Sequence, residues 1–225
     1  MKDIEIYEVN YAKMLNILNE HGVVKINGWL SDLSDLKKEV LEVISSGKEY
    51  QFGKFFKLGE LNKKQLQLPY IYKTFKQNWM KKLAEDYLQS NVKFCHQVIA
   101  THDYRTDKGL GRNGYLHFDR THEFKFFLYL RDCKASDGPF SCVPGSHRLG
   151  AELRRTAWKE NREYAKVKNR VLFDYQNMGS YKSKIVPILA SAGDLVIFDT
   201  DTFHMGGLTK GGERLIIRSH TRRAK

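Results

Sequence analysis

Two periods share this chain. From Tyr11 to Leu88 apolar residues recur mostly every three or four positions; beyond Val92 they come in short runs. The first period is helical and the second belongs to strands. Met14, Leu15 and Leu18 predict a helix over Tyr11–His21, with Gly22 as its C-cap. The sequence VVKING then reads as a short strand and turn. Leu36, Val40, Leu41 and Ile44 predict a second helix, capped by Ser31 or Ser34 and ended by Ser45, Ser46 and Gly47. Residues 48–68 are polar and basic and read mostly as loop. Pro69 opens a third helix carrying Tyr72, Phe75, Trp79 and Leu83 to Leu88.

The strand-like remainder offers Val92–Tyr104, Tyr115–Asp119, Phe124–Leu130, Phe140–Val143, Lys184–Leu189, Leu195–Phe198 and Leu215–Arg218. The turn clusters TDKGLGRNG, SDGP, PGSH, SAGD and KGGE separate them. Many short strands with Gly-rich turns argue for a sandwich or barrel, jelly roll included. A helix over Ala151–Lys168, free of Gly and Pro past Ala151, interrupts the series. No Gly/Ser or Pro linker and no repeat divides the 225 residues, so one domain is expected: residues 1–90 mostly helical, 91–221 the strand-rich core, 148–184 an insertion.

Composition narrows the class. Hydrophobic residues are 41% and charged residues 28%, which fits a globular chain and not a disordered one. No apolar run is long enough for a membrane helix, and the mixed, acidic start is unlike a signal peptide. Three cysteines without a CxxC fit reduced thiols, so a cytoplasmic setting is expected. The net charge of +12 points to an anionic partner or to simple solubility, and by itself leaves nucleic acid open. Residues 148–184 hold ten Lys/Arg against four Asp/Glu, a surplus of +6. That surplus suggests a basic rim for a small anionic substrate. Nothing in the sequence sets the oligomeric state.

The candidate chemistry starts at His117-Phe118-Asp119. On a strand, residues i and i+2 share a face, so an imidazole and a carboxylate can grip one metal from adjacent sites. Alone, H-x-D is as readily a hydrogen-bonded pair at a strand end. His204 follows the run Leu195–Phe198, 85 residues past Asp119, a gap suited to distant strands converging on one ion. Arg214 comes ten residues later on the next expected strand, where a guanidinium could take a carboxylate through paired hydrogen bonds. Two histidines and one carboxylate form the facial triad of non-heme Fe(II) oxygenases. His96, His102, His122 and His220 lack such spacing, and His147 in PGSH is expected to close a turn.

Residues 92–221 resemble the phytanoyl-CoA dioxygenase family of Fe(II)/2-oxoglutarate-dependent oxygenases. The resemblance rests on HFD at 117–119, DGPFSCVPGSHRLG at 137–150, SAGDLVIFDTDTFHMGG at 191–207 and Arg214, with NEHGVVKINGWLSDLSDLKKEV similar to the family's opening segment. It implies an α+β, mainly β chain: a double-stranded β-helix (jelly roll, cupin-like) with N-terminal helices packed on it. His117, Asp119 and His204 would bind Fe(II), and Arg214 the distal carboxylate of the cosubstrate 2-oxoglutarate. Reaction with O2 would release succinate and CO2 while a substrate is oxidised, most simply by hydroxylation. Gln97 and Thr101, four apart on one strand face, are candidates for the cosubstrate's keto-acid end. Lys125, inside the apolar run FKFFLYL, is a candidate for a cosubstrate carboxylate or else an exit to solvent. Many relatives carry Ser or Thr two residues past the distal histidine, where this chain has Gly206; Thr209 or Lys125 could compensate. Related halogenases lack the carboxylate, so Asp119 argues against halogenation. The rival reading is a non-catalytic jelly-roll protein that binds an anionic ligand or polymer through its basic surface.

Overall fold

A computed structural model describes residues 2–50, 53–104, 114–160, 171–172, 181, 183–207 and 209–224. Five of the ten basic residues of the 148–184 insertion and most of the TDKGLGRNG turn lie outside them.

The first helix, α1 (Tyr11–His21), buries Met14, Ile17 and Leu18. Asn10 caps its start by accepting from the Lys13 N–H, and Gly22 ends it at φ 71°, the left-handed region that glycine enters at little cost. The second, α2 (Ser34–Ser45), has Leu33 at its N-cap with no side-chain cap, so neither Ser31 nor Ser34 serves as expected. Instead the Asp32 carboxylate accepts from Ser34 N–H at 3.0 Å. Leu41 is 43% exposed, and the buried face is Leu36, Glu39, Val40 and Ile44. Glu39 is buried because it caps the next helix, accepting from Tyr70 N–H and Ile71 N–H at 3.2 and 2.6 Å.

Residues 48–68 depart from the expected loop. They form a hairpin, β3 (Lys48–Tyr50) and β4 (Gly53–Gly59), followed by a 3₁₀ turn at Leu61–Lys63. β3 is the edge of the larger sheet and β4, beside it, is only partly buried, so their composition is polar and hides the strands. The third expected helix is two, α3 (Pro69–Phe75) and α4 (Asn78–Leu88), broken at Lys76-Gln77 where Gln77 is extended. The break lets α3 pack on α2 and α4 on α1, and sets Trp79 edge-on to Trp29 with centroids 6.2 Å apart.

The remaining strands are β1 (Glu5–Ile6), β2 (Val23–Ile26), β5 (Val92–Tyr104), β6 (His117–Phe118), β7 (Phe124–Tyr129), β8 (Phe140–Cys142), β9 (Val171–Leu172), β10 (Val186–Pro187), β11 (Leu195–Asp199), β12 (His204–Gly206) and β13 (Glu213–Arg223). The larger sheet runs β1-β2-β11-β7-β13-β5-β4-β3 and the smaller β10-β8-β12-β6-β9. From β5 onward the chain passes repeatedly between the sheets, so residues far apart in sequence face one another across the interior. All six residues of β7 are buried, and Phe127, Phe140 and Phe198 meet between the sheets at 4.5–5.8 Å. The insertion helix α5 begins at His147, four residues before its expected start, and is described to Glu160. No helix among the described residues is long and apolar enough to cross a membrane.

Candidate active site

Cross-strand register builds the site. On β13, Arg214, Ile216, Arg218 and His220 alternate inward. Their partners on β5 are Asp103, Thr101, Ile99 and Gln97. On β7, Tyr129, Phe127 and Lys125 lie opposite Ile216, Arg218 and His220. The smaller sheet closes over this face and brings β6 and β12 together, with His117 and His204 directly paired.

His117, Asp119 and His204 are 2, 7 and 6% exposed. Their donor atoms lie within 4.8 Å of one another, with Asp119 Oδ1 3.7 Å from His117 Nε2 and 3.8 Å from His204 Nε2. Each imidazole faces a backbone carbonyl through Nδ1: Tyr115 O for His117 and Thr202 O for His204, both at 2.7 Å. A carbonyl accepts only from an N–H, so the proton sits on Nδ1 and the Nε2 lone pairs turn to a common point. Burial, with His117 adjacent, holds His204 well below the usual histidine range and keeps it neutral as a ligand must be. The donor set fits one divalent metal at a three-ligand site.

Three features hold the trio. Asp119 N–H donates to Thr200 O at 3.0 Å. The PGSH turn reaches across: Ser146 Oγ accepts from Phe203 N–H at 2.8 Å, one residue before His204. Lys125, buried at 4%, donates to Asp119 Oδ2 instead of leaving for solvent. Behind it Glu123 accepts from His96 at 3.0 Å and His220 at 2.7 Å, with Lys125 3.9 Å away. Burial works to raise the Glu123 carboxyl, but these donors hold it well below the carboxylate range. Burial and Lys125 push His220 down to about 3.

A second network fastens the loop before His204. His122 Nε2 contacts Asp199 at 2.9 Å and Asp201 at 3.6 Å, and Tyr87 donates to Asp199 at 2.8 Å. Arg154 on α5 grips Asp201 with Nε and Nη2 at 2.6 and 2.8 Å. Burial works to lower His122, but Asp199 and Asp201 prevail and raise it. Arg154 is therefore an interior ion-pair partner and no part of a basic rim.

A cleft of about 570 Å³, its open mouth included, runs from His117, His204 and Lys125 to Arg214 and Asp103. Phe127, Phe140, Phe198 and Ile216 form its apolar walls, with Thr101, Arg218, Gly206 and Gly207 completing the lining. Arg214 is 9% exposed and bonds Asp103 Oδ2 through Nε and Nη2 at 2.9 and 2.6 Å and Gly138 O through Nη1. Thr101 lines the cleft and donates weakly to Ile216 O at 3.5 Å. Gln97 stands level with His220 and Lys125, half-buried and outside that lining. Sequence spacing missed Asp103, Glu123, His122, Asp199 and Asp201. Asp103 alone had a local signal, as the acidic residue sharing a strand face with Thr101. His96, His122 and His220 find their carboxylates only through tertiary contact.

Among solved structures the fold is similar to several non-heme 2-oxoglutarate-dependent enzymes. The epimerase SnoN in complex with Fe3+, alpha ketoglutarate and nogalamycin RO is 15% identical, with TM-score 0.70 over 95% of this chain and 84% of that one. EctD from S. alaskensis with 2-oxoglutarate and 5-hydroxyectoine is 14% identical, with TM-score 0.67 over 98% and 80%. HygX from Streptomyces hygroscopicus with nickel and 2-oxoglutarate is 17% identical, with TM-score 0.62 over 93% and 86%. No curated protein sequence matches the chain. Residues 18–214 match the phytanoyl-CoA dioxygenase (PhyH) family, and the chain belongs to it.

Proposed function

We propose that this protein is an Fe(II)- and 2-oxoglutarate-dependent oxygenase that hydroxylates a small molecule with release of succinate and CO2. The observation that carries the proposal is the convergence of His117, Asp119 and His204, their Nε2 and Oδ1 atoms facing one point, at one end of a cleft whose other end holds Arg214. The passage of strands between two sheets supports a double-stranded β-helix, and residues 1–225 are read as one domain of this kind.

Bound together, Fe(II) and 2-oxoglutarate activate O2 and couple decarboxylation of the cosubstrate to oxidation of the substrate. The protein holds and orients them. His117, Asp119 and His204 supply three metal bonds and leave the remaining positions open. Arg214 keeps N–H groups for the cosubstrate's distal carboxylate. Thr101 stands along its path, and Gln97 is assigned a lesser part toward the keto-acid end. Lys125 fixes the carboxylate of Asp119 and contributes positive charge beside the cosubstrate. Phe127, Phe140 and Phe198 exclude water from the reacting end. The prime substrate's anionic character rests on the charge surplus of residues 148–184, less Arg154, which is spent on Asp201. SnoN and SnoK, both 2-oxoglutarate-dependent, are an epimerase and a carbocyclase. The substrate's pose, beyond the metal ligands, therefore has to decide the outcome here.

The test is succinate formation. The protein is loaded anaerobically with Fe(II) and 2-oxoglutarate, exposed to O2, and screened for candidate substrates that stimulate turnover. Arg214→Lys keeps the charge but loses the planar fork, and should raise the 2-oxoglutarate KM at least tenfold. A protein that binds neither divalent metal nor 2-oxoglutarate would instead be the non-catalytic binder.

A further inference from the structure

Tyr129 lies on the inward face of β7, two residues beyond Phe127, with Ile216 as its cross-strand partner. It therefore shares a face with Arg214, two residues from Ile216 on β13. The side chain is fully buried, and its hydroxyl proton has no acceptor among the described residues. Folded proteins rarely leave a buried hydroxyl in that state. Burial raises its pKa far above the phenol range, while the Arg214 guanidinium and the Phe140 N–H favour negative charge at its oxygen. Asp103 and Cys133 act in the opposite direction.

The nearby carboxylate is already engaged. Asp103 Oδ2 accepts twice from Arg214, and Oδ1 accepts from the Tyr50 hydroxyl. Arg214 in turn has committed three of its five N–H donors, two to Asp103 and one to Gly138 O, which leaves two. Its charge is compensated by its own chain. The hydroxyl that family resemblance leads one to expect two residues past His204 is missing, since that residue is Gly206. The Arg214 end of the cleft thus has an arginine with two donors to spare and, on the same sheet face but behind the residues that line the cleft, a sealed phenol whose proton lacks an acceptor among the described residues.

We propose that Tyr129 is a carboxylate-binding residue, its hydroxyl donating to the distal carboxylate of the 2-oxo acid that Arg214 also holds. The proposal rests on the cosubstrate assignment above and assigns that selectivity to two groups in place of one. A dicarboxylic 2-oxo acid satisfies the phenol; a monocarboxylic one of equal length leaves it as it stands.

The experiment compares dissociation constants for 2-oxoglutarate and 2-oxopentanoate, which has the same 2-oxo acid head but no distal carboxylate. Both are titrated into the anaerobic Fe(II) protein, in the wild type and in Tyr129→Phe. In the variant 2-oxoglutarate should weaken roughly 10- to 100-fold, as expected for loss of a hydrogen bond to a charged group. 2-Oxopentanoate should bind unchanged. A hydroxyl with a merely structural role would move both acids together or neither, and either result overturns the proposal. If the wild type binds 2-oxoglutarate preferentially and Tyr129→Phe keeps that full preference, Tyr129 is a core residue and the cosubstrate assignment stands. If the wild type binds neither acid, or does not distinguish them, the cosubstrate assignment fails first. Tyr129→Met, also apolar at the buried site, repeats the comparison should the phenylalanine variant not fold.

Discussion

Acid should loosen this fold through a histidine behind the His117–Asp119–His204 cluster. His220 Nδ1 bonds Glu123 at 2.7 Å, and the ring is 6% exposed. Burial first, and then Lys125, bring its pKa to about 3, against 6.5 for an ordinary histidine. The folded value lies below the unfolded one, so the unfolded chain takes up the proton first. The contribution is therefore complete above the unfolded pKa and is lost as pH falls from there toward the folded value. Each pH unit inside that window removes about 1.4 kcal/mol. Between about pH 7.5 and about pH 4.5 the loss is roughly 3 kcal/mol, a large share of a typical stability of about 5–15 kcal/mol. The assay is urea unfolding of the metal-free protein across that range, in the wild type and in His220→Gln. The variant starts less stable, because a donor to Glu123 is weakened or misplaced. Its pH dependence should nevertheless be shallower by roughly 3 kcal/mol over the range. His147, which burial also pushes down, remains in both proteins and cancels in the difference. Parallel pH profiles would refute the reasoning and show that His220 carries its proton in the folded state.

The ion pair between α5 and the His204 loop gives a second expectation. Asp201's side chain is 1% exposed, and Arg154→Leu should cost about 3–5 kcal/mol in urea unfolding because it strands that buried carboxylate. A loss below about 1 kcal/mol would mean that His122 alone satisfies Asp201. Gly150 is the next test, since a Cβ there would overlap the Asp201 carbonyl oxygen. Gly150→Ala should lower stability by about 1–3 kcal/mol, and an unchanged melting temperature would disprove that close approach. Cys95, Cys133 and Cys142 are buried, and burial pushes the Cys142 thiol up to about 12. A thiol reagent should therefore modify the native protein only as fast as it unfolds; rapid labelling of any of the three would contradict their burial.

The sequence by itself determined the elements whose signal is local. Helix α1 needs only Asn10, a stripe of three apolar residues and Gly22, all within thirteen positions. The fully buried β7 announces itself as an apolar run interrupted only by Lys125, and H-x-D sets an imidazole and a carboxylate at i and i+2 without help from the rest of the chain. The family motifs extended this to His204 and Arg214, because their spacing reflects strands that must meet. What only the tertiary structure decided were pairings across large separations. The hairpin at 48–59 reads as loop because an edge strand and its half-buried neighbour need little apolar surface, and β5, the second partner of β4, lies some forty residues away. The split between α3 and α4 follows from packing on two different helices, which no single periodicity encodes. Asp103 meets Arg214 across 111 residues, and Asp199 meets His122 across 77. Charged side chains look alike along a sequence. Once buried they must find a counter-charge, and the fold alone determines which one lies within reach.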